Sequence, residues 1–301
     1  MKKLFNPFFT LIVLAFSNGC IEKTIDLDLS DGLYGGDKIV LNGYLSSDEG
    51  CIVKVSKSSP SIGRFTYEQL KFRDARVFLY ENGDSIAELK GDTAGIFSLK
   101  TFKPKVDAKY KIRATSSSLP NCESEEEIFP SALQNTAVKP VLKDNIIFGR
   151  PALIFPIILN FDPSKTNYFI SDGTAFFPSG EKGRVDLSLL NILETVSSES
   201  ACDSYYFGPT AGYSTKCYEP GDTLNFAYDY KFNGDLTVSS AKSVTLNLST
   251  VSPSFYKYAK VMRQPVGFET AFVEPNTIYT NIKGGYGLFY TINSKRFTYK
   301  F

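Results

Sequence analysis

Five cysteines and no histidine set the chemistry open to this 301-residue chain. Without histidine there is no Ser-His-Asp or Cys-His nucleophile, no histidine-bearing zinc site and no ordinary near-neutral general base. Carboxylates, lysines and tyrosines are left for proton transfer, and thiols for covalent bonds. The densest carboxylate run is Glu125-Glu126-Glu127. Glycoside hydrolysis needs two carboxyls ~5–9.5 Å apart across a cleft. A consecutive run does not create that geometry, so the segment reads as solvated. Asp26, Asp28 and Asp31 read as an acidic tether, with calcium binding as the competing reading. No catalytic, cofactor or metal residue is assigned, and the chain reads as a non-enzyme.

Cys20 is the most informative thiol. Lys2 and Lys3 precede an apolar run from Leu4 to Phe16, broken by Asn6-Pro7, and Ser17-Asn18-Gly19 brings small or polar residues up to the cysteine. That is the order of a secretory signal, and it is too short to span a bilayer stably. A cysteine directly after the small residue marks the cleavage and acylation point of a bacterial lipoprotein. Cys20 is therefore expected to become the N-terminus and to carry a diacylglycerol. An ordinary signal peptide beside a chance cysteine is the alternative.

Four cysteines then remain in an exported chain, and an even remainder reads as disulfides. Three pairings exist. Proximity favours Cys202 with Cys217, a loop of about 15 residues contributing roughly 3 kcal/mol in the chain-entropy model. Cys51 would then pair with Cys122. No CxxC spacing supports a metal site.

The composition favours strands. Tyr and Phe are abundant (18 and 25), and 43% of residues are hydrophobic, which argues against wholesale disorder. The net charge of +1 gives no electrostatic reason to expect nucleic acid. Residues 1–19 read as the leader and 20–37 as the lipidated tether. Residues 38–130 read as a small antiparallel sandwich, with strands at Ile39–Leu41, Ile52–Val55, Ala75–Tyr80, Gly95–Leu99 and Tyr110–Ala114 and turns at Glu81-Asn82-Gly83-Asp84 and Lys90-Gly91-Asp92. Past a linker at Pro130–Pro140, residues 131–301 read as a larger β-rich domain. Ala152–Leu159 is expected to be a buried strand broken by Pro156, with more strands near Tyr168–Ile170, Phe226–Tyr230 and Ser243–Leu248. One short helix is expected near 252–263, with Ser252 as cap, Pro253 at its first position and Phe255, Tyr258, Ala259 and Met262 as its apolar stripe.

Asp84-Ser85-Ile86, Asp92-Thr93-Ala94 and Asp222-Thr223-Leu224 fit the short pattern of Bacteroidetes O-glycosylation, so Ser85, Thr93 and Thr223 are candidate acceptors. Each also sits in a turn, where these residue types are common anyway.

Ala75, Val77, Gly83, Gly95 and Phe97 reproduce an A-x-V strand, a turn glycine and a G-x-F strand, so this stretch resembles the transthyretin-like or carboxypeptidase-regulatory domain. That resemblance implies a structural module. The C-terminal stretch from 272 to 289 carries Glu274-Pro275, Asn281-Ile282, Gly284-Gly285, Gly287 and Phe289. With Cys20 and Asp26-Leu27-Asp28-Leu29, it resembles an uncharacterised family of Bacteroidetes lipoproteins known as a domain of unknown function. Such proteins are often encoded beside TonB-dependent outer-membrane receptors. The resemblance implies a lipid anchor in the outer membrane, at the cell surface or the periplasmic face, where Glu22 and Lys23 faintly match a surface-export signal. It also implies a β-barrel receptor as partner in nutrient uptake or surface assembly. A structural or adhesive surface lipoprotein without a transporter is the alternative, and a carboxylate-based hydrolase a weaker one. The glycine segment itself reads as a structural turn or bulge, with a partner-binding edge as the competing reading.

Overall fold

A computed structural model describes residues 36–59, 66, 70–134, 136–137, 139–147, 150–165, 167–177, 180, 182–185, 187–189, 205–207, 210–215, 218–229, 242–262 and 279–300. The first strands are β1 (Ile39–Ser46), β2 (Gly50–Lys57), β3 (Arg76–Glu81), β4 (Asp84–Glu88), β5 (Lys90–Gly91), β6 (Ile96–Leu99), β7 (Lys109–Thr115), β8 (Cys122–Ser124) and β9 (Glu127–Ile128). The next are β10 (Thr136–Ala137), β11 (Val141–Ile147), β12 (Arg150–Ile158), β13 (Tyr168–Phe176), β14 (Lys182–Val185) and β15 (Leu187–Leu189). Then come β16 (Tyr205–Phe207), β17 (Thr210–Ser214), β18 (Thr223–Asp229) and β19 (Ser243–Val251). Helix α1 (Pro253–Met262) leads on to β20 (Ile282–Lys283) and the long final strand β21 (Tyr286–Lys300). Among the described residues the architecture is mainly β, with one short helix and no sheet closed into a barrel.

Alternation of apolar residues makes these strands. In β1 the buried positions Ile39, Leu41 and Leu45 alternate with Val40, Asn42 and Tyr44, and in β2 Cys51, Val53 and Val55 do the same. A period of two sends one set of side chains to each face. The turn between β3 and β4 also follows from sequence: Asn82 takes φ 51 and Gly83 φ 94, the positive values a tight hairpin needs.

Three sheets result. The long sheet has ten strands, ordered β16-β17-β13-β19-β21-β1-β2-β6-β5 with β14 on β13. A six-stranded sheet runs β20-β8-β7-β3-β4 with β9 on β7, and a five-stranded sheet runs β10-β12-β18-β15 with β11 on β12. One core joins Ile39, Leu41, Val53 and Phe97 of the long sheet to Val77, Leu79, Tyr110 and Ile112 of the six-stranded sheet. The other joins Phe169, Val244, Leu246 and Leu248 to Phe155 and Ile157 of the five-stranded sheet. The long sheet is thus common to both. Strand β21 presents Phe289 to the first core and Phe297 and Tyr299 to the second.

Pro156 does not break its strand, contrary to expectation. Strand β12 runs through it, with Pro156 opposite Asn225 of β18. On the other side, β11 pairs as far as Ile154 and β10 begins at Ile157, so the proline lies in the gap between two neighbours. A residue with no N–H is tolerated where no ladder bond is asked of it.

The C-terminal glycines allow close strand approach. Strand β21 lies in the sheet interior, parallel to β1 on one side and antiparallel to β19 on the other. Gly287 stands opposite Leu41 with φ +115, and a Cβ there would run into the Leu41 carbonyl. The segment is a structural junction between the first and last strands.

Candidate functional site

The run Glu125–Glu127 is not uniformly solvated. Glu125 and Glu126 are exposed, whereas Glu127 is only 4% exposed. After Cys122 and Ser124 the two acids widen the spacing by one residue, and Glu127 and Phe129 then point inward with Ile128 outward. The Glu127 carboxylate accepts from the Ser254 hydroxyl (2.5 Å) and the Asn281 side-chain amide (2.8 Å), both on Oε1, and Ser252 also bonds to it. No ion pair reaches it among the described residues. Burial pushes its carboxyl above the usual carboxylate range; bonds from Ser254, Ser252 and Asn281 pull the other way without winning, and Glu125 adds a small push upward.

Each donor is placed by a different element. Pro253 opens α1 at the position where a missing N–H is harmless, and Ser252 accepts the Phe255 N–H on its carbonyl (3.1 Å). The expected side-chain cap is not made. The Ser252 hydroxyl instead meets Glu127 and accepts the Thr291 N–H (3.3 Å), because β21 passes beside it. Since α1 has no acid in its first turn, Glu127 is the carboxylate that lies there, where the helix dipole favours negative charge. Asn281 reaches Glu127 while bracing β21: its Oδ1 accepts the Phe289 N–H (2.9 Å) and its amide donates to the Phe289 carbonyl (2.7 Å). Thr291 then donates to the Ile128 carbonyl (2.7 Å) and Asn293 to that of Pro130 (2.9 Å). This polar node laces β9, α1 and β21 together. Its acceptors are committed to internal donors, which suits positioning rather than proton transfer.

The other face of β1 and β21 carries aromatic rings. Tyr44 and Tyr290 are register partners with centroids 5.8 Å apart, and Phe255 of α1 stacks on Tyr290 at 4.6 Å. Tyr44 donates to Glu49. Burial pushes the Tyr290 hydroxyl up to about 12, and burial with the Glu49 bond drives Tyr44 upward as well. Both tyrosines are half-buried, so this is a surface that can offer ring faces without titrating. The helix stripe differs from expectation: Tyr256 and Ala259 are buried, Phe255 and Tyr258 are half-buried, and the Met262 side chain lies outside the described residues. Tyr256 stacks on Tyr168 at 4.4 Å, which turns the helix toward β13.

A second carboxylate offers a contrast. Asp74, fully exposed, accepts on Oδ2 from Ser117 (2.6 Å), Ser118 (3.2 Å) and Ser116 (3.4 Å). Those bonds, Ser117 first, hold its carboxyl below the usual range.

Cys51 and Cys122 are both free thiols, so the expected disulfide between them is not formed. Cys51 sits on β2 of the long sheet and Cys122 on β8 of the six-stranded sheet, each packed as a small apolar side chain in the same core. Burial pushes each thiol up to about 12. Cys20, Cys202 and Cys217, and the acidic tether, lie outside the described residues. Ser85 and Thr93 are exposed, while Thr223 is half-buried. The neighbouring acids have structural partners: Asp92 accepts the Ala94 and Ile96 N–H groups (2.8 and 2.9 Å), and Asp222 accepts that of Glu219 (2.8 Å).

Fold and site together define a mainly β, multi-sheet protein whose buried polar node is built to hold its last strand. A family model described as "Domain of unknown function (DUF4249)" matches residues 22–298, and the chain belongs to that family. No curated protein matches it. Among solved structures it matches a "Putative membrane anchored protein from Corynebacterium diphtheriae" at 10% identity and a TM-score of 0.20, over 73% of this chain and 55% of that one. The chain spans little more than half the length of that protein, and a superposition so loose carries no argument.

Proposed function

We propose that this protein is a lipid-anchored accessory or binding protein of a bacterial outer membrane, working with a TonB-dependent receptor in nutrient uptake or surface assembly. The observation that carries the reading is the Lys2-Lys3, apolar run and Gly19-Cys20 series ahead of a β-rich body. Resemblance to Bacteroidetes lipoproteins encoded beside such receptors supports the partner. The half-buried aromatic face of Tyr44, Tyr290 and Phe255 supports a binding role, since aromatic rings supply contact area with little entropy loss. Exposed Ser85 and Thr93 are acceptors for glycosylation on this reading.

Mild-detergent extraction of native membranes and pull-down of this chain tests the partnership. Co-purification of a β-barrel receptor is expected, and recovery of the chain alone overturns it in favour of a structural or adhesive lipoprotein. Labelled palmitate should enter the wild-type chain and not Cys20→Ala; membrane association that survives Cys20→Ala sinks the anchor.

A further inference from the structure

Several segments meet where the tether joins the folded body. Gly36–Lys38 leads into β1, and the Lys38 backbone is pinned beyond the end of β2, its N–H donating to Ser58 Oγ and its carbonyl accepting the Ser58 N–H, both at 2.9 Å. Lys57 closes β2 opposite Ile39. Strand β21 starts alongside with Tyr286 opposite Val40, and the turn into it passes Lys283 and Gly284 beside Asn121. The exposed large hydrophobic side chains of the described residues are Ile86, Val106, Ile128, Val141 and Tyr286, so Tyr286, at 40%, is the aromatic among them. The Lys38 ammonium sits 5.1 Å from its ring centroid. Lys283 is exposed, with its ammonium 3.9 Å from Glu125, a surface contact too loose to remove its charge from play. The other acids of this corner are Asp37 and Glu123, the latter opposite Lys283 in register and itself 3.3 Å from the Lys111 ammonium.

We propose that this corner, with the Lys38 ammonium over Tyr286 and exposed Lys283 on the turn leading into its strand, rests on an anionic phospholipid surface. The inference depends on Cys20 being the lipid anchor. Residues 21–35 then separate lipid from body and span at most about 50 Å even fully extended. The corner is where the tether enters the body, so it is the part the anchor restrains most directly to that reach of the bilayer. An exposed tyrosine with Lys38 over its ring and Lys283 three positions before it matches the headgroup zone, where tyrosine sits with its hydroxyl in water and lysines meet lipid phosphates. The Asn82–Gly83 turn closes the opposite end of the six-stranded sheet, since β3 starts opposite the end of β7 that meets Cys122 and runs away from it.

The sequence has no tryptophan, so a single introduced one reports its own surroundings. Lipid-modified mature chain carrying Tyr286→Trp would be reconstituted on vesicles of phosphatidylcholine and brominated phosphatidylglycerol in equal parts, with Ile86→Trp near the opposite end as control. Strong quenching at position 286, weak quenching at 86 and loss of the difference in high salt are expected. Adding Lys38→Gln and Lys283→Gln should cut the seated population roughly fivefold per lysine removed. Equal quenching of the two probes, or none, on a chain that Cys20→Ala detaches overturns the corner while the anchor stands. Attachment that persists in Cys20→Ala overturns the anchor, and this proposal with it.

Discussion

Glu127 and Asp74 are two carboxylates with nearly the same hydrogen-bond complement and opposite electrostatics. Each has three hydroxyl or amide partners, yet Asp74 is held below the usual carboxylate range and Glu127 above it. The difference is water. At Asp74 the serines add to a solvation shell that is already there, whereas at Glu127 they replace one and do not fully make up the loss. Three such donors therefore tighten an exposed loop in one place and commit the fold to a buried carboxyl in the other.

Asn281→Ala should break the buried side most severely. It orphans the Phe289 N–H and carbonyl and one Glu127 bond, for a loss of roughly 3–5 kcal/mol in urea unfolding. Glu127→Ala should follow at roughly 2–4 kcal/mol, from unpaired Ser254 and Asn281 donors and a small cavity. Glu127→Gln sharpens the comparison because it keeps the shape and removes the charge. Its cost should stay within about 1 kcal/mol, and its stability should depend less on pH. The sign follows from the raised folded-state value. Between the unfolded carboxyl range and that value, the native state holds a proton that the unfolded chain has released. Wild-type stability attributable to Glu127 therefore rises as pH falls from neutral through the native value, and levels off below about pH 4. Unfolding at neutral pH and near pH 5 should show wild type gaining on Glu127→Gln; a parallel pair of curves removes the buried-charge account. Asp74→Asn is the smallest effect: a slightly lower midpoint at neutral pH, with the gap closing on the acid side. There the wild type loses what its depressed carboxyl gave as pH falls through the native value below 3.8.

Free thiols extend the test to the core. Cys51 and Cys122 should resist a thiol reagent in native protein and react together on unfolding, because burial holds both as neutral thiols.

Much of the strand pattern was legible, because Ile39-Leu41 or Tyr110-Ile112-Ala114 carry their own two-residue period. The hairpin at Asn82-Gly83 was legible for a similar reason: the turn is a property of its own residues. Glu127 was not. It sits in an acidic run, and what buries it are Ser254 and Asn281, more than a hundred residues away. Phe129 two positions on was the one local hint that Glu127 shares an inward face. The thiols misled because parity of count says nothing of which sheet each cysteine occupies. Pro156 misled because strand-breaking depends on the neighbour's register. The glycines announced a close approach but not that β1 was the strand being approached.

That pairing of β1 with β21 has a consequence for the order of events in synthesis. Strand β1 lies between β2 and β21, and the first core includes Ile282 and Phe289. A nascent chain that has emerged as far as residue 280 has made every other wall of that core and still has an open strand edge and an unfilled interior. The first core cannot close until Ile282 and Phe289 have left the ribosome. For a polypeptide that crosses a membrane before folding, such a late keystone keeps the preceding segments threadable until β21 follows them.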